Sequence, residues 1–464
     1  MMLLQPIPGG SRWKMNTSDN ESQRSVDTIA LINKQGVRPY AVFQLVLVCL
    51  CSMFEGFDYM IVSYAQPYIS QEWDLTSVVT GTLISWAMVG MIIGDLVGGA
   101  IADKIGRKKT MIGSVLMFSI FTVPVAFVNS YAAFAVCRIV AGLFIGCALS
   151  MNMTNASELA PTKQRTIFVA IAASATPLGY TLASVAAISV IPAFGWRPLF
   201  LIATVGLILG FILIPCMQEP PVWALRNGKL KETCDYLRRI GAGDYTPDEL
   251  IIPEPEEKTR TSYGILFRSK RLTILLIGTA CIYFCAMFTL YGVNTWYPNL
   301  MLDKGYNVQT AYGFSLAMQG AGVFGNLAAG VLLQKLGRRG GQLFGFSLAI
   351  AAILLLAWCG VTEILIIAFA MLAGFAINYL PSSINAVTPE LFPTNARSSS
   401  ISFVMATGRI AGMIAPVVAG ALLGVGLDFS MLLSVFALPC VLAILLAFVF
   451  TKTGNKGISL DKVS

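Results

Sequence analysis

The sequence contains no histidine and few charged residues of any kind. Only 12% of its 464 residues are Asp, Glu, Lys or Arg, whereas 56% are hydrophobic. This composition excludes an ordinary soluble globular protein, in which about 25% of residues are charged. Because histidine is absent, we expect carboxylates to carry any proton that the protein moves near neutral pH.

The sequence also lacks the motifs of common cofactor sites. It has no Walker A loop, no Cys-x-x-Cys pair and no spacing typical of metal ligands, so we expect no cofactor, no metal site and no enzymatic activity. None of its ten cysteines falls in a predicted outer loop, which excludes a disulfide framework. Without a nucleotide site, any uphill transport must use an ion gradient.

Long apolar runs, separated by short polar loops, make up most of the sequence. A membrane-spanning helix needs about 20 apolar residues. Twelve such runs lie near residues 41–64, 78–102, 109–128, 131–152, 166–192, 197–217, 272–301, 311–334, 342–361, 362–384, 400–425 and 428–451. The sequence therefore predicts an all-α membrane protein with twelve transmembrane helices in the lipid bilayer.

Lysine and arginine are distributed unevenly between the loops. Alternate loops and the two terminal segments hold 28 of the 32 basic residues, whereas the intervening loops hold only Arg197 and Lys304. The positive-inside rule places the basic loops, and with them both termini, in the cytoplasm. The net charge of +8 thus reflects membrane topology, and we expect no nucleic-acid partner. Residues 1–40 are too polar for a signal peptide.

The second half of the sequence repeats the first. Glu158-Leu-Ala-Pro-Thr-Lys-Gln-Arg165 recurs 232 residues later as Glu390-Leu-Phe-Pro-Thr-Asn-Ala-Arg397. Nearly the same offset superposes Lys104-Ile-Gly-Arg107 on Lys335-Leu-Gly-Arg338. Repeats of this kind are typical of membrane transporters, so we interpret the chain as two parallel halves of a transporter.

The repeat defines the predicted domain organisation, and it also superposes Gly142 on Gly374. Each copy contains six apolar runs, and both copies of each charged loop should lie on one side of the membrane. We predict a cytoplasmic N-terminal segment (1–40), a six-helix half (41–217), a cytoplasmic linker (218–271), a second six-helix half (272–451) and a cytoplasmic tail (452–464).

The loop after the second run carries charged residues around a glycine turn. We expect Asp103 and Arg107 to latch neighbouring helices through ion pairs that break when the molecule changes state. The pattern Gly99-x-x-x-Asp-Lys-x-Gly-Arg-Lys108, its second copy at 330–339 and the run Arg138–Gly146 resemble the major facilitator superfamily over essentially the whole chain. The second copy has Gln334 in place of the acid, which weakens a latch there.

A narrower resemblance begins with Glu55-Gly-Phe-Asp58, which is similar to the Asp-Gly-x-Asp motif of the aromatic acid:proton symporters. The other similar segments are 27–35, 70–73, 296–298, Gln319 and 407–410. The resemblance implies import of benzoate, hydroxybenzoates, related phenolic acids or muconate with protons. The chain departs from the family in having Glu first in the motif and Ser150-Met151 where Pro-Asn is usual.

Five charged residues lie in the hydrocarbon zone, away from the ends of the predicted spans, where each costs at least about 2.5–3.5 kcal/mol on insertion scales. They are Glu55, Asp58, Asp95, Arg138 and Arg409. Glu55 and Asp58 are neighbours on one helix face, and two close carboxylates in a low dielectric cannot both ionise cheaply. We therefore assign proton coupling to Asp58, assisted by Glu55. The alternative is that the pair only braces helix packing.

The other charged residues suggest binding and gating roles. The guanidinium of Arg409 could bind both oxygens of a substrate carboxylate; alternatively, it forms a structural ion pair with another helix. Asp95 is either a second proton site or a partner for basic loop residues. We predict that Arg138 has a structural or gating role, and we place Glu158 and Arg165 of the repeated loop with the gating residues.

Uncharged polar and aromatic residues inside the spans are further candidates for substrate binding. Polar residues there often only join helices, at about 0.6 kcal/mol each. Resemblance to the superfamily implies that several of these spans line a central cavity. The candidates are Trp86, Asn155, Tyr291, Asn294, Gln319 and Asn385, of which the two aromatic residues would stack on a substrate ring.

We therefore interpret the protein as a proton-coupled importer of a small aromatic carboxylate. It would work by alternating access, as a monomer in the bacterial inner membrane, with capture of the anion by Arg409 and protonation of Asp58. One alternative is a proton symporter of a non-aromatic organic acid or sugar acid. Another is a non-transporting membrane sensor, although no long signalling segment supports it.

Overall fold

The computed structural model describes residues 27–250, 266–267, 270–392 and 397–450. Helix α1 (Thr28–Gln35) precedes the first half, which contains α2 (Pro39–Glu72), α3 (Ser77–Ile105), α4 (Arg107–Thr122), α5 (Tyr131–Leu159), α6 (Arg165–Phe194), α7 (Arg197–Leu201) and α8 (Thr204–Cys216). After it come α9 (Pro221–Arg226), α10 (Leu230–Arg239), α11 (Lys270–Asp303), α12 (Val308–Trp358), α13 (Glu363–Leu391), α14 (Arg397–Gly424) and α15 (Phe429–Phe450).

The long helices of the described residues provide twelve spans, and α7 and α8 together form one of them, Arg197–Cys216. Among the described residues, 11 helical stretches are long and apolar enough to cross a membrane. One of them, α12, has 51 residues and is interrupted at Gly337, whose φ is 74°. At about 1.5 Å per residue, α12 exceeds twice the hydrocarbon thickness and therefore provides two spans. The predicted twelve-helix architecture in two halves is confirmed.

Some helix boundaries differ from the apolar runs. The first run ends at residue 64, but α2 continues to Glu72. Polar residues in this last part are satisfied by α3, since Gln66 Nε2 donates to the carbonyl of Thr80 at 3.0 Å. The third run extends to 128, but α4 ends at Thr122 and a 3₁₀ turn, Val123–Phe127, follows. Pro124 explains this change, because proline lacks the N–H that continues an α-helix.

The sequence repeat has a structural counterpart at the basic loops. Arg107 forms an ion pair with Glu158 at 3.4 Å, and Arg338 forms one with Glu390. The two motifs that recur in the sequence thus bind each other within each half. Gly106 and Gly337, one before each arginine, both have positive φ, at 113° and 74°. Glycine is the residue that adopts this conformation without steric cost.

The repeated glycines allow close helix packing in both halves. A Cβ added to Gly142 of α5 would lie 2.1 Å from the carbonyl oxygen of Ala87 on α3. A Cβ added to Gly374 of α13 would lie 1.9 Å from that of Met318 on α12. Close approach at small residues is typical of helix pairs in membranes, where dispersion contacts replace the hydrophobic driving force.

The halves are joined near the end opposite the basic loops. The hydroxyl of Tyr312 donates to the carbonyl of Tyr64 at 2.9 Å, and Asn299 Nδ2 donates to Gln66 Oε1 at 2.8 Å. These residues lie at the ends of α2 and α11 and at the start of α12. Many large apolar side chains elsewhere are exposed, as at Leu96, which suits a surface covered by lipid rather than water.

Candidate functional site

A charged pair spans the interface between the two halves. Arg409 on α14 donates from Nε to Oδ2 of Asp95 on α3 at 2.8 Å. The Arg409 side chain is 21% exposed and that of Asp95 is 26% exposed. The structure thus gives Asp95 a partner on another helix, not in a basic loop. Because both side chains keep some contact with solvent, breaking this pair leaves a smaller penalty of uncompensated charge than breaking a fully buried pair.

Three tyrosine rings pack together beside this pair, one each from α2, α6 and α11. The ring of Tyr59 lies 6.2 Å from that of Tyr180 and 5.5 Å from that of Tyr291, and all three residues are buried. A Cβ at Gly412, one turn after Arg409, would lie 2.6 Å from the Tyr291 ring. This tyrosine cluster therefore lies where the halves meet and next to the charged pair.

Glu55 is a buried carboxylate close to the same region. Its Oε1 accepts a 2.7 Å hydrogen bond from Nδ2 of Asn152 on α5, and within the described part of the chain its Oε2 has no partner. Glu55 also interacts electrostatically with Arg409 and Asp95. It precedes Tyr59 by four residues, so both lie on one face of α2. The site thus contains a carboxylate with an unfilled hydrogen-bonding position.

Asp58 has a different environment from Glu55. Arg138 on α5 donates from Nη1 to Oδ2 of Asp58 at 2.9 Å, and both side chains are fully buried, at 0% and 1% exposure. A second nitrogen of Arg138 donates to the Asp58 carbonyl at 3.3 Å. The two acids of the helix motif therefore bind different partners: Glu55 binds Asn152, and Asp58 binds Arg138. The sequence predicts that Glu55 and Asp58 act together as one pair of carboxylates.

The polar candidates are distributed over several contacts. Trp86 donates from Nε1 to the Tyr131 hydroxyl at 2.7 Å, and Asn155 donates to Met111 Sδ at 3.1 Å, so both pack within the first half. Asn385 lies close to the hydroxyl of Tyr283 of α11, which interacts electrostatically with Arg409. Of these three candidates, only Asn385 is linked in this way to the charged pair. The substrate-binding roles of all three candidates stay predictions.

Two further candidates, Asn294 and Gln319, are buried amides. Among the residues that the structure describes, neither has a hydrogen-bond partner for its side chain. The predicted set of site residues did not include Tyr59 or Tyr180. The helical spacing from Glu55 is a signal that could have identified Tyr59, whereas Tyr180 is brought to the site only by the packing of α6.

Four of the predicted gating residues, all except Arg138, cluster at the basic end of the first half. Arg107 donates from Nη1 to Oδ1 of Asp103 at 2.6 Å and from Nη2 to Oε1 of Glu158 at 3.4 Å. Arg165 donates from Nε to the carbonyl of Ser157 at 3.1 Å. These contacts connect α3, α4, α5 and α6 of one half.

Glu219 extends this cluster to the segment after α8. Its Oε2 accepts a 3.0 Å hydrogen bond from the backbone N–H of Lys108, in the first turn of α4. Burial raises the pKa of the Glu219 carboxyl above its ordinary value, while the bond from Lys108 acts in the opposite direction. A carboxylate at this position suits the positive end of the α4 dipole.

The arrangement can bind an anion, contact a ring and hold a proton. Among the described residues there is no group of three or more Cys, Asp or Glu that could hold a metal. Twelve apolar spans in two repeated halves, with buried charges where the halves meet, define a membrane transporter rather than an enzyme. The chain belongs to the Major Facilitator Superfamily, whose family model matches residues 48–372 and 321–462.

Similar proteins agree with this assignment. The chain is 30% identical over 403 residues to the gentisate transporter of Corynebacterium glutamicum, covering 84% of this chain and 85% of the relative. It is 28% identical to the 4-hydroxybenzoate transporter PcaK of Acinetobacter baylyi, covering 94% and 96%. It is 26% identical to the gallate transporter of Pseudomonas putida, covering 88% and 92%.

A solved structure supports the fold. The partially occluded, inward-open conformation of the xylose transporter XylE from E. coli matches with a TM-score of 0.71. The match covers 90% of this chain and 100% of the other, at 16% sequence identity. At this identity the likeness concerns the fold alone.

Proposed function

We propose that the protein imports a small aromatic carboxylate, such as a benzoate, a hydroxybenzoate or a related phenolic acid, together with protons. The observation that carries this proposal is the tyrosine cluster beside the Asp95–Arg409 pair at the interface of the halves. Relatives named as transporters of gentisate, gallate and 4-hydroxybenzoate support an aromatic acid as the substrate.

The proposed carboxylate site is Arg409. Asp95 binds its Nε, so a substrate carboxylate would replace Asp95 and form two parallel hydrogen bonds with the planar guanidinium. The substrate ring would then lie against Tyr59, Tyr180 and Tyr291, which offer edge and face contacts. Trp86, Asn155 and Asn385 remain candidates at its periphery.

Proton coupling follows from this exchange of partners. Once the substrate displaces Asp95, that carboxylate loses its cation and lies near Glu55, so a proton on either group removes an uncompensated charge. Glu55 is our first candidate for the proton site, with Asp95 next. Asp58, which the motif favours, already has its charge compensated by Arg138 and is therefore the third.

Alternating access would rock the two halves about the substrate. We assign gating to Asp103, Arg107, Glu158 and Arg165 at the basic end, and to Arg138 inside the first half. The proposal includes the inner membrane of a bacterium as the location, cytoplasmic termini and a monomer as the functional unit. The three clustered tyrosines favour this function over transport of a non-aromatic organic acid or sugar acid.

Uptake into proteoliposomes tests the proposal. We expect accumulation of labelled 4-hydroxybenzoate under an inward proton gradient, and its loss when a protonophore collapses that gradient. Accumulation with a sodium gradient alone would contradict proton coupling. Benzoate and 4-hydroxybenzoate should compete for uptake, whereas muconate and glucuronate should not. Competition by glucuronate but not by benzoate would favour the sugar-acid alternative.

A further inference from the structure

Two buried amides near the tyrosine cluster have unfilled hydrogen-bonding positions. Asn294 of α11 is 1% exposed and Gln319 of α12 is 0% exposed. Within the described residues, neither the nitrogen nor the oxygen of either side chain has a partner. Native structures rarely leave a buried amide wholly unpaired, because the unmade hydrogen bonds are costly. Two such amides are therefore candidates for binding a ligand that supplies the missing partners.

The position of Gln319 is defined by its neighbours on the same face of α12. Asn326, seven residues later, donates to the carbonyl of Ala173 on α6 at 3.4 Å. Tyr312, seven residues earlier, donates its hydroxyl to the carbonyl of Tyr64 on α2 at 2.9 Å. Residues seven apart share a helix face, so Gln319 lies between two contacts with the first half and faces that half.

Gln319 and Asn294 also lie level with the tyrosine cluster. The helices α6 and α12 run in opposite directions at their contact. Consecutive membrane spans alternate in direction, and α6 is the fifth span whereas the first part of α12 is the eighth. Tyr180 lies seven residues after Ala173 on α6, and Gln319 lies seven residues before Asn326 on α12. Each separation is about 10 Å along its helix. Because the helices are antiparallel, Gln319 and Tyr180 lie at the same level. Asn294 lies one turn after Tyr291 on α11, on the same face.

The chemistry of an amide selects the group that would satisfy it. Each amide offers two N–H donors and a carbonyl acceptor, whereas a carboxylate only accepts hydrogen bonds. A phenolic hydroxyl both donates and accepts. A ring hydroxyl therefore complements Asn294 and Gln319, whereas the substrate carboxylate complements Arg409.

We propose that Asn294 and Gln319 form a hydroxyl-binding subsite, through which the transporter selects hydroxylated aromatic acids over unsubstituted benzoate. This inference rests on the proposed function, since the carboxylate must first be held at Arg409. Each hydrogen bond to the hydroxyl should contribute roughly two- to tenfold in affinity. A benzoate without the hydroxyl leaves the amides unpaired, which is how such sites discriminate.

The ligand side of the test uses the unmodified protein in nanodiscs and isothermal titration calorimetry. We compare benzoate, the three monohydroxybenzoates and the corresponding methoxybenzoates. At least one hydroxybenzoate should bind more tightly than benzoate, and its methoxy analogue, which cannot donate, should lose that advantage. Equal affinities for benzoate and every hydroxybenzoate would overturn the subsite. Failure of every aromatic acid to bind would overturn the proposed function as well.

The protein side of the test removes the amides. Gln319→Met and Asn294→Leu keep similar volumes and should bring the hydroxybenzoate-to-benzoate affinity ratio towards one while benzoate affinity is retained. Asn378→Leu is the control, because this buried amide on α13 already donates to the Gly374 carbonyl at 2.9 Å. Asn378→Leu should leave the hydroxybenzoate-to-benzoate affinity ratio unchanged. Equal weakening of both ligands by Gln319→Met and by Asn294→Leu would overturn the proposal. If one variant does not fold, the other and the methoxy ligands decide.

Discussion

Arg409 and Asp95 are 314 residues apart in the sequence, and a 2.8 Å hydrogen bond between them joins the two halves of the transporter. The side chains are 21% and 26% exposed, whereas those of Arg138 and Asp58 are 0% and 1% exposed. Among the described residues, the Arg409–Asp95 pair at the interface is therefore more accessible than the Arg138–Asp58 pair, which is sealed within the first half.

Arg409→Gln should weaken binding of the substrate carboxylate. A lost charge-assisted hydrogen bond is worth about 1.5–3 kcal/mol, or roughly ten- to a hundredfold in affinity. Arg409→Lys should recover little, because an ammonium group lacks the planar fork. Calorimetry on purified variants measures this, with Arg238→Gln, an exposed arginine of α10, as the control. Unchanged affinity in Arg409→Gln would place the carboxylate elsewhere.

Asp58→Asn should destabilise the protein more than Asp95→Asn does. The first change leaves Arg138 fully buried without its counterion, at a cost of about 3–5 kcal/mol. The second change also removes a counterion, but the arginine that loses it, Arg409, is partly exposed. The double variant Asp58→Asn with Arg138→Gln should recover much of the loss. Melting temperatures in detergent measure the difference, and equal decreases for both single variants would show that burial does not separate the two pairs.

Glu55→Gln should bind and exchange substrate but lose uphill accumulation and its dependence on pH. The glutamine oxygen still accepts the hydrogen bond from Asn152, but the side chain can no longer release a proton. Counterflow and gradient-driven uptake in proteoliposomes separate the two activities. Normal coupling in Glu55→Gln together with lost coupling in Asp58→Asn would return the proton site to Asp58, as the helix motif suggests.

Asp103→Asn should slow transport far more than it weakens substrate binding. Asp103 is 63% exposed and pairs with Arg107 four residues later. Such a pair contributes only about 0.3–0.5 kcal/mol to stability. Its loss should therefore shift the balance of conformations without damaging the site. The matched variant is Gln334→Asp, which places an acid at the position that corresponds to Asp103 in the second copy of the loop motif. Parallel losses of binding and transport in Asp103→Asn would indicate a purely structural role.

Gly142→Ala and Gly374→Ala should both lower the melting temperature. In each case the new Cβ would approach a backbone carbonyl oxygen within 2.1 Å, so the helices must move apart. Gly113→Ala on α4 is the control, because among the described residues no atom beyond its own helix backbone lies within 4 Å of its Cβ position. There the change should stabilise the protein by about 0.5–1 kcal/mol. Tolerance of alanine at both repeated glycines would contradict the close packing.

The sequence alone predicts the twelve helices and their two halves, because these depend on local properties. Each span must cover the bilayer with apolar residues and satisfy its own backbone hydrogen bonds. The repeat likewise shows that Arg107 corresponds to Arg338 and Glu158 to Glu390, because each motif is a contiguous segment of the chain. The resemblance of Glu55-Gly-Phe-Asp58 to a symporter motif also identifies the helix that carries buried acids.

The tertiary structure alone decides which residues those acids meet. Glu55 and Asp58 lie on one helix face, yet Glu55 contacts Asn152, 97 residues away, and Asp58 contacts Arg138, 80 residues away. Arg409 meets Asp95 only because α14 packs against α3 across the interface. Helix rotation and packing distance select these partners, and both depend on side chains far apart in the sequence, so no local pattern encodes the pairing.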